Sequence, residues 1–244
     1  MFIKFLNILK QGSEVLKVAI HQPNYLPWIG FFDKLDQVDK FVLLDKANHS
    51  KSGFINRNKI KTPQGSFTLT VPLKNKGVPI NQLKIVDNKN WQISHWKTIE
   101  AFYQKCPFWN EYKHGFEQIY QQKWQKLAPL NIALIEHIKT LLSITTELML
   151  ESDFQIDFGN GNTRNVNITS HLNGDVYLSG TGARVYNDIH EFNANNIELV
   201  YQNFIHPEYP QRWGEFQQNL SIIDMLFNCG PETIDIIRKH RLIL

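Results

Sequence analysis

Short apolar runs alternate with polar turns along this chain, and their period changes twice. Val15 to Ile20 is mostly apolar and partly β-branched, the pattern of a buried strand. His21-Gln22-Pro23-Asn24 reads as a turn. From Tyr25 to Leu35, Trp28, Ile29, Phe32 and Leu35 recur at helical spacings, which predicts a helix. Phe41 to Asp45 is a second short buried strand, so residues 15–45 read as one β-α-β unit with parallel strands. Residues 46–65 read as a polar loop with Gly53 and Pro63-Gln64-Gly65. Phe67, Leu69 and Val71 then alternate with Thr68 and Thr70, a half-exposed strand ended by Pro72, and Leu83 to Val86 offers another.

The period then turns helical. Ile93, Trp96, Ile99 and Tyr103 share a face, Trp109 to Trp124 makes a second amphipathic stretch, and Leu130, Leu134, Ile138 and Leu141 a third, entered through Pro129. After Leu148-Met149-Leu150 the strand-helix rhythm returns. A helix around 163–172 precedes the strand Val176-Tyr177-Leu178, and a helix near 185–193 precedes the strand 197–201. Ser221 to Asp224 has the form of a capping-box variant opening a helix that stops at Gly230-Pro231. The expected fold is α/β: a mostly parallel, Rossmann-like sheet in a single domain, with a helical insertion near 91–145. Two lobes split near 90 are the alternative.

Length and composition narrow this further. At 244 residues, one core or two is the expectation. Apolar residues at 42% and charged residues at 20% exclude a disordered chain. Two cysteines, Cys106 and Cys229, exclude a disulfide scaffold and a four-cysteine zinc site, and both read as structural. No run is long and apolar enough for a transmembrane helix, and the start lacks a signal-peptide cleavage site, so a cytoplasmic location is expected. The net charge of +3 hides a division: residues 40–126 carry 15 bases and five acids, residues 127–244 seven bases and 14 acids. Lys46 to Lys76 holds seven bases and no acid, which suits a phosphorylated ligand through steering. Arginine is too scarce for a nucleic-acid partner to be expected.

Four segments carry candidate chemistry. His21, Gln22, Asn24 and Tyr25 follow the first strand, where open α/β sheets bind ligands. The proline turn invites comparison with nucleotidylyltransferases, whose paired histidines would fall on Tyr25 and Trp28; the fold class can therefore be nucleotidyltransferase-like while that histidine pair is missing. Asn56, Arg57, Asn58, Lys59 and Lys61 group amide and cationic donors: in an extended chain the asparagines face one side and the bases the other. Ser179, Gly180, Gly182, Arg184 and Tyr186 lie between a strand and a helix, a context for holding an anion. His206 and Tyr209 follow the strand 197–203, and His21 with His206 is the candidate acid-base pair. His21, Asn56, Arg184 and His206 are expected to converge on one cleft. No metal site is expected: the one Glu-x-x-His, Glu111 to His114, reads as a solvated helix face.

Together these segments resemble the WbqC-like protein family. The resemblance runs through Val18 to Trp28, Gly53 to Lys61, Tyr177 to Gly180 with Arg184 and Tyr186, and Leu220 to Gly230. Members start near Val18, which implies that residues 1–16 are an extension, or follow from a misplaced start codon, and residues 17–244 the domain. Members usually have a second Asp and a Gln-Phe pair where this chain has Lys46 and Asn48-His49, which weakens any paired-carboxylate role at Asp45. The resemblance implies bacterial surface-polysaccharide (O-antigen) synthesis. It points to an enzyme that transfers an acyl or aminoacyl group to the amine of a nucleotide-linked amino sugar. The partners would be that nucleotide-sugar, or another phosphorylated small molecule, and an acyl or aminoacyl donor. No particular cofactor is implied. A nucleotidylyltransferase or ATP-dependent amide-forming ligase, and a non-catalytic nucleotide-sugar-binding protein, are the alternatives.

Overall fold

The computed structural model describes residues 15–48, 53–88 and 90–242. The expected extension therefore lies almost wholly outside the described residues, as does Lys51 of the basic run. Five parallel strands form one sheet: β1 (Lys17–His21), β2 (Lys40–Leu43), β5 (Glu147–Leu150), β6 (Val176–Ser179) and β7 (Glu198–Tyr201), in the order β5-β2-β1-β6-β7. This is the expected mostly parallel, Rossmann-like α/β architecture.

Both faces of the sheet are buried, as parallel strands require. Val18, Ile20, Val42 and Tyr177 point into one apolar cluster, completed by Val166 and Ile168 of helix α5 (Gly161–His171) and Phe192 of α6 (Ile189–Ala194). Ala19, Phe41, Leu43 and Leu178, from alternate positions of the same strands, point into the larger cluster. That cluster also takes in Phe31 and Phe32 of α1 (Ile29–Asp36) and the inner faces of α2 (Asn90–Tyr103), α3 (Trp109–Gln121) and α4 (Leu127–Leu141). It further includes Met225 and Phe227 of α7 (Ile222–Cys229) and Ile237 of α8 (Thr233–Lys239). Ser221 caps α7 through the Ile223 N–H, and the helix ends at Gly230, whose φ of 56° suits glycine.

Two local differences from the sequence pattern have physical causes. The first helix begins at Ile29 rather than Tyr25, because residues preceding a proline are pushed out of the α region. Leu26, before Pro27, adopts φ 43° instead. The second difference lies in residues 46–65, which are not all loop: β3 (Arg57–Thr62) pairs antiparallel with β4 (Gly65–Thr70) as a separate hairpin. The charged residues of β3 obscure its strand character, yet Asn58, Ile60 and Lys61 are all buried. Leu83 to Val86 contributes only isolated bridges, Leu73 with Ile85 and Lys84 with Lys126.

Candidate functional site

The seam between β1 and β6 is where the sheet changes its direction of growth. There β1 pairs with β6 only as far as Ala19–Leu178, whereas its pairing with β2 continues to His21–Leu43. The carboxyl ends of β1 and β6 thus diverge and open a crevice, the position at which doubly wound sheets hold ligands. A cavity of about 550 Å³ occupies it. Its walls come from His21 and Gln22 after β1, from Trp28, Gly30 and Lys34 around α1, from Gly161, Arg164 and Asn165 of α5, from Ser179 to Ala183 with Tyr186 after β6, and from Gln202 and Phe204 after β7. Among the described residues two cations line it, and no Asp or Glu does.

The turn after β1 is fixed from outside. Asn131 donates to the Pro23 and Ile55 carbonyls, both at 2.8 Å, and Asn58 donates to the Leu26 carbonyl at 2.5 Å. The Tyr25 N–H donates to the Ile55 carbonyl at 3.0 Å. His21 is thereby held in one tautomer. Its Nδ1–H donates to the Gln22 carbonyl at 2.8 Å, which leaves Nε2 as an acceptor. Its ring stands edge-on to Phe31 at 5.0 Å. Burial, reinforced by the neighbouring Lys34 charge, lowers its pKa to about 3, so the imidazole is neutral at physiological pH.

Lys34 is 4% exposed, and its Nζ donates to the Ile20 carbonyl at 3.0 Å, beside the Phe41 ring. Burial lowers its pKa to about 7. Gly30, one turn earlier on α1, is required by packing: a Cβ there would sit 2.3 Å from the Trp28 indole that walls the cavity. Gln202 fixes the floor, donating to the Gly30 carbonyl at 2.8 Å and to Asp33 at 2.5 Å. Ser179 is buried, and its Oγ accepts from Asn187 at 2.9 Å.

The cavity unites His21, Gln22, Ser179, Gly180, Gly182 and Tyr186. Other residues singled out in the sequence are engaged elsewhere. Tyr25 is core, its hydroxyl bonded to His95 and Tyr120. Asn56 donates to the Val71 carbonyl at 2.9 Å. Asn58, as above, braces the turn rather than lining the cavity. Lys61 is buried under the loop 209–217, donating to Gln211 at 2.8 Å and to the Glu215 carbonyl. Asn24, Arg57 and Lys59 are not among the lining residues. Arg184 is also absent from the lining and stacks on the Tyr201 ring at 4.8 Å. Tyr209 donates to Asp224 at 2.9 Å. Both ring nitrogens of His206 are occupied: Nδ1–H donates to the Pro207 carbonyl at 2.9 Å, and Nε2 accepts the Asn219 N–H at 3.1 Å. The expected convergence of four residues therefore reduces to His21. No cluster of metal-ligating side chains occurs among the described residues, and His114 only approaches Glu117, at 3.8 Å. Cys106 and Cys229 are buried free thiols whose pKa values burial pushes up to about 12.

Sequence reasoning missed Lys34, Arg164 and Gln202. Lys34 had a readable signal: with Gly30, Phe31 and Phe32 beside the Ile29-Leu35 stripe, the helix is apolar around most of its circumference and must be buried on several sides. Arg164 had none, because α5 is mostly polar in sequence.

This is a Rossmann-like α/β protein with a cavity at its topological switch point that His21, Lys34 and Arg164 line. The chain belongs to the WbqC-like protein family, whose model matches residues 22–236. It is 34% identical over 229 residues to the uncharacterized protein Rv1507c of Mycobacterium tuberculosis, covering 92% of this chain and 99% of the relative. No solved structure matches it. No helix among the described residues is long and apolar enough to cross a membrane.

Proposed function

We propose that this protein takes part in bacterial surface-polysaccharide (O-antigen) synthesis, binding a nucleotide-linked amino sugar in the switch-point cavity and transferring an acyl or aminoacyl group to its amine. The observation that carries the ligand class is the lining of the cavity: Lys34 and Arg164, with no carboxylate among the described residues. A dianionic diphosphate is attracted by such walls, and the backbone at Gly180 and Gly182, where an added Cβ would meet nothing within 4 Å, leaves open space beside it.

In this reading the amine attacks the acyl carbonyl, loses a proton, and the donor's leaving group departs. His21 Nε2 accepts a hydrogen bond from the incoming amine and orients it. Because burial keeps His21 far from protonation, it orients the amine rather than taking its proton, which departs with the donor's leaving group, and Lys34 serves the anion. The test is incubation of the protein with nucleotide-linked amino sugars and acyl or aminoacyl donors, following the sugar by mass spectrometry. The expected result is a mass increase at the amine. Pyrophosphate release from ATP would identify the ligase reading instead, and ligand binding without any turnover would leave a binding protein.

A further inference from the structure

We infer that Arg164 is the residue that grips a phosphoryl group of the ligand, and that Glu151, which does not line the cavity, is the positioning residue that aims it. This rests on the reading of the cavity as an anion site.

The argument is one of donor accounting. Arg164 Nε donates to the Gly159 carbonyl at 2.9 Å and lies 3.2 Å from Glu151 Oε1. The single Nε–H is thus engaged, which removes Nε from any side-on fork. Its two terminal nitrogens have no hydrogen-bond partner among the described residues, although the side chain is only 14% exposed. A guanidinium can fork onto two oxygens through its side, using Nε, or through its end, using the two terminal nitrogens. The side is taken, so the end-on fork remains, and Arg164 is part of the cavity wall. Two oxygens on one atom, as in a phosphoryl group, match it.

Glu151 opens the short 3-10 turn Glu151–Phe154 directly after β5 and is 1% exposed. Burial raises its pKa, and the Arg164 charge opposes that rise. A carboxylate buried this deeply would be costly without a partner, and Arg164 supplies the partner. One of its oxygens, Oε2, is left without a hydrogen bond, and the Lys46 charge and backbone N–H also favour the carboxylate. Its Oε1 lies against Arg164 Nε and fixes that side of the guanidinium. Lys34, carried on α1, gives the cavity its second cation.

The experiment is titration calorimetry of the full chain with UDP, dTDP and GDP, each beside its nucleoside. The wild type is expected to bind at least one diphosphate well above its nucleoside. Arg164→Gln should remove ~10- to 100-fold of that preference and leave nucleoside affinity unchanged. Glu151→Leu should lose nearly as much, Glu151→Gln, which keeps a polar oxygen of the same reach beside Nε, should retain most of it, and Glu151→Leu should cost nothing further in the Arg164→Gln background. A preference undiminished in Arg164→Gln overturns this inference and leaves the anion site standing. Equal losses from Glu151→Gln and Glu151→Leu, or additive losses in the double variant, overturn the positioning role. If Glu151→Leu does not fold, Glu151→Ala takes its place in the cycle. A wild type that prefers no diphosphate over its nucleoside overturns the anion site itself.

Discussion

Lys34 Nζ donates to the Ile20 carbonyl at 3.0 Å, at the step where β1 parts from β6. The opening of the crevice and the burial of the amine therefore share one cause. Lys34 has a folded pKa near 7, against 10.5 in the open chain. Between those values the unfolded chain holds a proton that the folded protein has released, so this group's contribution to stability rises with pH across that window. At pH 6 both states are charged and the folded protein bears the full desolvation cost. Lys34→Met is therefore expected to be more stable than wild type at pH 6, by on the order of 1–3 kcal/mol after the lost hydrogen bond is counted, with the advantage fading toward pH 10. Urea unfolding at several pH values measures this; an advantage that does not vary with pH would refute it.

His21 behaves in the same sense in a different window. Its pKa falls from 6.5 to about 3 on folding, so the unfolded chain binds a proton first and stability declines as pH drops from 6.5 toward 3. His21→Gln should flatten that acid limb. The direct measurement is NMR: the His21 ring Cε1–H resonance is expected to stay fixed from pH 8 to pH 5. A His21 midpoint near 6 would show that burial does not hold the ring neutral.

The strands of the parallel sheet and the three helices between Asn90 and Leu141 are legible because their hydrophobic period is local. The strand-end loops holding His21 and Ser179 are legible for the same reason, since a parallel sheet brings its carboxyl ends to one edge. Arg184 and His206 mark the limit. Each lies in a loop whose backbone position the strands set, but neither side chain is directed by them: Tyr201 takes one and Asn219 the other. Lys61 fails for a longer-range reason. It reads as a ligand-binding cation in a polar loop, yet Gln211, 150 residues away, closes over it. Arg164 could not be found from its helix at all, because Glu151 and Gly159, which fix it, carry no periodic signal.

The C-terminal segment is clamped to α1 by charge. Asp33, fully buried, accepts from Arg241 Nε at 2.6 Å, and Asp36 accepts from Arg238 at 2.9 and 2.8 Å. Because Asp33 also holds Gln202 beneath the cavity, the clamp supports the site from behind. Arg241→Ala leaves a buried carboxylate uncompensated and is expected to cost about 3–5 kcal/mol. Asp33→Asn in that background should recover part of the loss, since a neutral amide needs no counter-charge. Thermal unfolding decides it: equal midpoints for the single and double variants would exclude an uncompensated charge as the cause.

Asp224 distinguishes a structural tyrosine from a ligand-binding one. It is 1% exposed, and its two carboxylate oxygens accept from Tyr103 at 2.8 Å and Tyr209 at 2.9 Å. The Tyr103 hydroxyl in turn accepts the Lys61 N–H at 3.0 Å, so the network joins α2, α7 and the hairpin. Burial raises the Asp224 pKa above 3.8, and the two tyrosines hold the rise back. Tyr209→Phe removes one donor. At pH 7 the buried carboxylate then loses one of its donors, at a cost of about 1–3 kcal/mol. The carboxyl pKa climbs further, and as pH falls through it the group takes up a proton in the folded state only. The loss relative to wild type should therefore shrink on acidification, because the folded variant binds that proton at higher pH than the wild type does. Ligand affinity should be unchanged, since Tyr209 does not line the cavity. A Tyr209→Phe variant with wild-type stability but weakened diphosphate binding would reverse the assignment and return Tyr209 to the ligand.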